Sequence, residues 1–471
     1  MLHSCCIYSS FTENRLCVYG LLTGHLVALL IEHYIFNCYG ILLGEPTEIL
    51  RIALGTLFCI SVGIISMNLA TETVLTLIRA VLLHRDLPET WDSGIDWQDV
   101  LNECRKQAIV PLFMDILPKL PLDAATAAAW KKQIYSHVLW HQRIVNVQIE
   151  LDRLLRAADI PYATLKGFAA AQYYENPIQR VMGDIDILVL PDDVKRALEL
   201  LRQNRFAVEE DDRNSRHIGM TKAGVHIELH RYFCITENED SIDVAINEML
   251  SEGLHTSMRT IAISENDSSD PLICSVFDNK LNGLILLYHI GQHLPSGLGY
   301  RQIIDFLLYS VRCLDDENWN NGFYSLAVAA QLDTLAKAVL RMGQMFFGVT
   351  DSINWCKDIG DELPKELMEY VTQQGNFGRK DGSVITHALN TTRGSIQNLL
   401  RFEQKIGLHY WKAARKYRIL KPFAWIYGLV RHTRRMTERG LWKYLHQEAT
   451  KSRAQSDLLD RLHVRRRYEH M

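Results

Sequence analysis

The sequence predicts an α+β fold, with a mixed sheet core at residues 159–270 between helical regions at 67–158 and 271–471. Three observations predict it. Apolar residues recur at helical spacing on both sides of the core, short runs with strand alternation fill it, and two aspartates stand inside the most apolar run, DIDILVL at 184–190. At 471 residues the chain is long enough for two or three domains and a sizeable core. Its 48% hydrophobic and 23% charged residues are ordinary for a globular protein.

Residues 1–66 stand apart. Leu16 to Ile31 and Ile52 to Thr71 carry no charge, and the second run, twenty residues long, is about the length needed to cross a bilayer. The segment is either a membrane anchor or hairpin, or an upstream extension of a chain whose translation starts at Met67. A signal peptide fits poorly, because no basic segment leads into a single short apolar run. From Met67 the pattern turns helical. Val74, Leu77, Ile78 and Val81 make one face at i, i+3, i+4, i+7, and after Asp96 a second face begins with Trp97, Val100 and Leu101. Pro111, Pro118 and Pro121 interrupt the periodicity before a last helix, roughly Val145 to Ala158, delivers the chain to Ile160-Pro161. Residues 67–158 read as a helical cap without chemistry of their own.

The pattern then switches to strands: Tyr162–Leu165, Asp184–Leu190, Phe206–Val208, His217–Thr221 and Val225–His230, with a short helix at Phe168–Tyr174. Pro191, Asp192 and Asp193 open a further helix, where proline and acidic residues suit the first turn, and Val194, Ala197, Leu198 and Leu201 form its buried stripe. Lys222-Ala223-Gly224 is a tight turn between the last two strands. From about 272 helices return. Leu284, Leu287, Tyr288 and Gly291 lead into Arg301–Leu308, and a tail from Asn376 carries Trp411, Trp425 and Trp442.

The net charge of −4 conceals an asymmetry: residues 376–471 hold 21 Lys+Arg against 7 Asp+Glu, a balance of +14 that leaves −18 for residues 1–375. The basic end is either the solvated face of helices or a surface for an anionic partner. Ten cysteines without a CxxC pair, half of them in the first 59 residues, fit free thiols in a reducing compartment. The expected location is cytoplasmic, and membrane-associated if the N-terminal segment is real.

The candidate chemistry gathers between Leu165 and His230. Strand side chains alternate, so Asp184 and Asp186 share one face while Ile185, Ile187 and Val189 face a core. Glu228, in VHIELH, is a third carboxylate in an apolar strand. Three converging carboxylates repel one another unless a cation sits among them, and oxygen donors favour Mg²⁺ or Mn²⁺. His226, Glu228 and His230 also share a face, which raises zinc. The helical HExxH spacing is absent, however, and His230 reads as a neighbour that orients Glu228 or touches phosphate. His289 and His293, at i, i+4 with Gln292, Arg301 and Asp305 nearby, are either a packing pair or site contacts. No GxSxG, Walker A, dinucleotide fingerprint or Cys–His pair supports a hydrolase, P-loop or dehydrogenase.

Leu165-Lys166-Gly167 followed by a helix, then R-x-x-GDIDILV at 180–189, then IELH at 227–230, resembles the uncharacterised bacterial nucleotidyltransferase family of the polymerase-β-like superfamily. Asp96-Trp97, the histidine-rich helix at 289–293 and GNFGR at 375–379 extend the resemblance to about 67–440. It implies a nucleotidyltransferase-like core that moves a nucleotidyl group from an NTP to a hydroxyl or phosphate acceptor on a small molecule or peptide product. No nucleic acid is expected to be read by sequence, and any membrane contact would run only through residues 1–71. Asp184 and Asp186 would hold two metal ions on the nucleotide phosphates, and Glu228 would complete the metal on the nucleophile's side. Lys166 and Gly167 would offer a cation and backbone N–H groups to the triphosphate, and Arg180 would clamp a phosphate. One position departs from the pattern: the superfamily's Gly-Ser is here Gly167-Phe168, which keeps a backbone cradle and loses a serine contact. Glycosyl or phospho-group transfer at the same metal site is a second expectation, and a non-catalytic module, toxin–antitoxin-like or membrane-tethered, a third. Carboxylates converging within roughly 4–6 Å favour catalysis over the binding module.

Overall fold

A computed structural model describes residues 67–376, apart from 210–215, 235–240 and 264–271, together with parts of 404–464. The expectations for residues 1–66, for Trp442 and for most of GNFGR lie outside the described residues. Helix α1 (Leu69–Leu82) starts at Asn68, whose side chain accepts from the Thr71 N–H. Helix α2 (Trp97–Lys106) starts at Asp96, which accepts from the Gln98 and Asp99 N–H groups. Both caps satisfy amides that a helix start leaves without partners. The prolines at 111 and 118 sit in short 3₁₀ turns. Helix α3 (Ala124–Ala157) is one 34-residue rod, far longer than the expected 145–158. Pro121 lies ahead of its Asp123 cap, so nothing inside breaks it, and its alanine-rich start has high helix propensity without an apolar stripe.

Strand β1 (Tyr162–Leu165) leads through helix α4 (Gly167–Ala171) to β2 (Asp184–Val189), and helix α5 (Val194–Gln203) leads to β3 (Ala207–Val208). A hairpin of β4 (His217–Lys222) and β5 (Val225–His230) completes a five-stranded sheet of order β1-β2-β5-β4-β3. Among the described residues β2 and β5 run parallel and the other pairs of this sheet antiparallel, so the sheet is mixed as expected. Ala223 and Gly224, at φ 50° and 79°, make the two-residue turn between β4 and β5. Positive φ at both central positions matches the right-handed twist of the flanking strands.

The alternation separates two cores. Ile185, Ile187 and Val189 of β2, with Ile227 and Leu229 of β5, pack against Ile144, Leu151 and Leu155 of α3 and the stripe of α5. The second half of α3 is therefore part of the sheet's own core. Leu165 and Leu188, on the opposite face, join a larger helical cluster. That cluster includes α6 (Ser241–Thr256), α7 (Asn279–His293), α8 (Tyr300–Cys313), α9 (Asp333–Met342) and α10 (Glu362–Gln374). Between α6 and α7 lies an antiparallel pair, β6 (Met258–Ile263) and β7 (Leu272–Phe277), where the sequence pattern leads one to expect helices from about 272. The strand is there because Leu272, Cys274 and Val276 alternate into the sheet's core, joining Ile261 and Ile263 across the pair. Full burial of each such aliphatic side chain is worth about 1.5–3 kcal/mol. Among the described residues no helix is long and apolar enough to cross a membrane.

Candidate active site

The register of β2 and β5 places Asp186 opposite Glu228 and Asp184 opposite His226. Because β4 runs antiparallel to β5, His217 stands opposite His230, and Gly219 opposite Glu228. One face of three strands therefore carries two aspartates, a glutamate and three histidines. Asp186 lies at the base, 4% exposed, and Asp184 lies toward solvent. A cavity of about 220 Å³ opens over them, and Lys166, Gly167, Arg180, Arg216 and Arg301 line it with the three carboxylates.

Lys166, just after β1, has φ 48° and ψ −116°, a positive-φ conformation that a lysine adopts at a cost of about 1–3 kcal/mol. The turn sets its ammonium 3.2 Å from Asp186 Oδ1. His230, 1% exposed, brings Nε2 to 2.9 Å from the same oxygen and 3.3 Å from Glu228 Oε2. Asp186 and Glu228 thus each have an oxygen within 3.3 Å of one ring nitrogen. His230 lies beneath the cavity rather than along it, and its Nδ1 is buried without a hydrogen-bond partner.

The charges split the carboxylates. Burial alone would raise Asp186, but the Lys166 ammonium and the His230 hydrogen bond outweigh it and hold the carboxyl well below its ordinary value. Glu228 is lowered in the same way, with His230 prevailing over burial. Asp184 goes up, through desolvation in the cleft and the negative charge of Asp186. A carboxylate raised by its neighbours marks a place where added positive charge is favourable.

Arg180 touches the cavity but is committed elsewhere. Its Nε and one terminal nitrogen fork onto Asp305 of α8 at 2.8 and 2.7 Å, and Tyr174 donates to the same carboxylate at 2.9 Å. The pair is almost completely buried, with side chains 3% and 2% exposed. Arg301, one turn earlier on α8, donates one terminal N–H to the Val181 carbonyl at 2.9 Å, and its Nε has no hydrogen-bond partner. Burial and the neighbouring Arg180 charge lower its pKa. Arg216, just before β4, is a further cation on the wall. Arg216 and Arg301 are the groups that pattern reading misses as cation sites. Arg301 is visible only as a neighbour of the two α7 histidines, and Arg216 carries no signal at all.

His289 and His293 do face the cavity, with rings 4.5 Å apart and edge to face. Burial takes His289 well below its ordinary value; burial, Lys166 and Arg301 bring His293 down to about 3. Both are therefore neutral imidazoles at physiological pH. Phe168 accounts for the departure at the Gly-Phe turn: it is 1% exposed, packs in the sheet's core with its ring edge to His141, and faces away from the cavity wall. Gly167 keeps open space at its Cα, with only Met182 Sδ at 3.9 Å from where a Cβ would stand.

A family described as uncharacterised nucleotidyltransferase matches this sequence over residues 93–348. No curated protein matches it. Among solved structures, an antigenic nucleotidyltransferase-like protein from Paracoccidioides brasiliensis aligns with 42% of this chain and 91% of its own, at 16% identity and a TM-score of 0.27.

Proposed function

The chain belongs to the uncharacterised nucleotidyltransferase family, an enzyme class, and from that premise we propose a metal-dependent transfer. A nucleotidyl group passes from a nucleoside triphosphate to a hydroxyl or phosphate acceptor on a small molecule or peptide product. The observation that carries this proposal is the single face on which Asp184, Asp186 and Glu228 meet, in register on two parallel strands. The donor set fits a hard divalent cation, Mg²⁺ or Mn²⁺: three carboxylates around one cavity, one raised by the charge of its neighbour. Such an ion, when bound, screens phosphate charge and makes the acceptor hydroxyl a better nucleophile.

The chain's own groups divide the remaining work. His230 holds Asp186 and Glu228 in one orientation, so neither has to be ordered when substrate arrives. Arg301 and Arg216 face the cavity as cations for the triphosphate, and Lys166, now neutralising Asp186, is placed to turn toward a phosphate. Arg180 acts on the site by fixing α8 against the turn before β2 through Asp305. The neutral His289 and His293 offer hydrogen bonds without adding charge. The buried thiols of Cys104, Cys274 and Cys356 support a reducing, cytoplasmic setting.

Glycosyl or phospho-group transfer would use the same carboxylates, and the products separate the three reactions. The test is pyrophosphate release and acceptor labelling across a panel of NTPs and acceptors, read by mass spectrometry. We expect activity in the wild type and its loss in Asp184→Ala and Asp186→Ala. Activity that survives both changes overturns the proposal.

A further inference from the structure

The hairpin of β4 and β5 adds a donor that the transfer reaction does not use, His217, beside two that it does, Glu228 and His230. Its two-residue turn puts His217 opposite His230, so two imidazoles flank the Glu228 carboxylate. Glu228 Oε1 lies 3.7 Å from His217 Nε2, and Oε2 lies 3.3 Å from His230 Nε2. One ligand atom from each of the three residues fits within a span of 4.8 Å. Asp186 Oδ1 stands 2.9 Å from His230 Nε2 as a fourth donor alongside. The Glu209 carboxylate covers Gly219, the β4 residue opposite Glu228, so an added Cβ there would clash with Glu209 Oε2.

These separations have a simple physical meaning. At 3.7 Å the His217–Glu228 contact is too long for a hydrogen bond. Four donors held about 2.0–2.2 Å from one ion in tetrahedral array stand roughly 3.4 Å from each other. The two nitrogen–oxygen distances, to different Glu228 oxygens, bracket that value, and a cation would draw in the wider separations that make up the 4.8 Å span. Donor chemistry then selects the ion. All-oxygen sites suit Mg²⁺, whereas two imidazoles and a carboxylate suit Zn²⁺ and its neighbours in the first transition row, with an open position for water or substrate.

We propose that His217, Glu228 and His230 form a mixed nitrogen–oxygen site that binds a zinc-like divalent cation in preference to Mg²⁺. The cation takes the lone pair of His230 Nε2, which requires the neutral ring to carry its one proton on Nδ1; no proton is then gained or lost overall. Through Glu228 the site adjoins the carboxylates assigned to nucleotidyl transfer, so the inference rests on that assignment only for the use to which the ion is put.

The test uses the full chain, freed of metal by a chelator and titrated with Co²⁺ in the absence of nucleotide. Nitrogen donors in a four- or five-coordinate site give cobalt strong visible absorption, and six oxygen donors give weak absorption. We expect strong bands that stoichiometric Zn²⁺ abolishes and a large excess of Mg²⁺ leaves in place. His217→Ala, at a half-exposed position, is expected to weaken Co²⁺ binding at least about tenfold, since even a partner one step removed from a metal is worth that much. Its thermal midpoint without metal should stay near that of the wild type, and Asp184→Ala should keep the bands. Weak octahedral absorption in the wild type overturns the inference, as do bands unchanged in His217→Ala or lost only in Asp184→Ala. None of these three results bears on the pyrophosphate assay, so failure of this site and failure of the transfer reaction are read separately.

Discussion

The two faces of strand β2 differ by one residue step and by almost everything else. Toward α3, Ile185, Ile187 and Val189 are at most 2% exposed and belong to the sheet's apolar core. Toward α8, Asp184 and Asp186 meet charged and polar groups: Lys166 and His230 oppose burial at Asp186, whereas at Asp184 the Asp186 charge adds to it. The first face is stabilised by what it excludes. The second is held together by opposite charges that would not lie so close unless the first had already fixed the backbone. Stability and chemistry are therefore separable along a single strand, and substitutions on its two faces should have opposite phenotypes.

The largest expected effect is on that pair. Asp184→Asn removes a charge that the proposed cation needs, and should reduce turnover by about 10³-fold or more. The urea midpoint should move little, because burial and the Asp186 charge already disfavour the ionised Asp184 in the fold. Ile187→Ala should do the reverse: about 2–5 kcal/mol of stability lost through the cavity left in the core, with turnover per folded molecule retained. A denaturation series and an initial-rate assay on both variants decide it. If both properties fall together in both variants, the two faces are not independent.

The same contrast recurs between two arginines that line the same cavity. Arg180→Ala leaves the Asp305 carboxylate buried and unpaired, and should cost about 3–5 kcal/mol of stability. Arg301 makes one backbone hydrogen bond and keeps an unpartnered Nε, so Arg301→Ala should raise the nucleotide KM about 10–100-fold, since a hydrogen bond to a charged group is worth about 1.5–3 kcal/mol, with a near-normal thermal midpoint. A KM effect confined to Arg180→Ala would assign the phosphate clamp as the sequence motif suggests.

That motif shows how far local pattern reaches. Period-two alternation is enough to send Asp184 and Asp186 one way and Ile185, Ile187 and Val189 the other, because a strand has no third choice. The two-residue turn at Ala223-Gly224 fixes which residues of β4 and β5 are opposite, so even His217 was within reach of counting back from the turn. Arg180 was legible as a residue near the site and not as a spent one, because its partner Asp305 lies 125 residues away on a helix. Arg216 had no local signal, since a cation's availability depends on which carboxylates the tertiary fold brings beside it. Phe168 reads as a gap in the motif until the core is seen, where a buried aromatic ring anchors the turn that presents Lys166.

A pH effect should distinguish the α3 side from the cavity. His137 of α3 is held neutral by burial, which takes its pKa down to about 4, while its ring N–H donates to the Ile178 carbonyl at 2.6 Å. The unfolded chain binds that proton near pH 6.5, so between the two values the unfolded state carries more protons than the folded one. This contribution is whole above about pH 6.5 and is lost as pH falls toward about 4. The urea midpoint should therefore drop between pH 7 and pH 5, and drop less in His137→Asn. An equal loss in both proteins would place acid sensitivity elsewhere, with the cavity histidines as the next candidates.

The smallest expected effect concerns the turn that sets the register of the site. Ala223 sits at φ 50°, a left-handed conformation that costs a residue with a Cβ about 1–2 kcal/mol and that asparagine adopts more easily. Asn-Gly is also the preferred pair for a two-residue hairpin whose central residues both have positive φ. Ala223→Asn should raise stability by about 1 kcal/mol, seen as a higher calorimetric midpoint. It should leave Co²⁺ binding and turnover as they are, because the register 217 to 230 is unchanged. A lower midpoint would mean that something in the fold depends on alanine there. A changed metal affinity at constant stability would mean that the turn transmits more than register to His217 and Glu228.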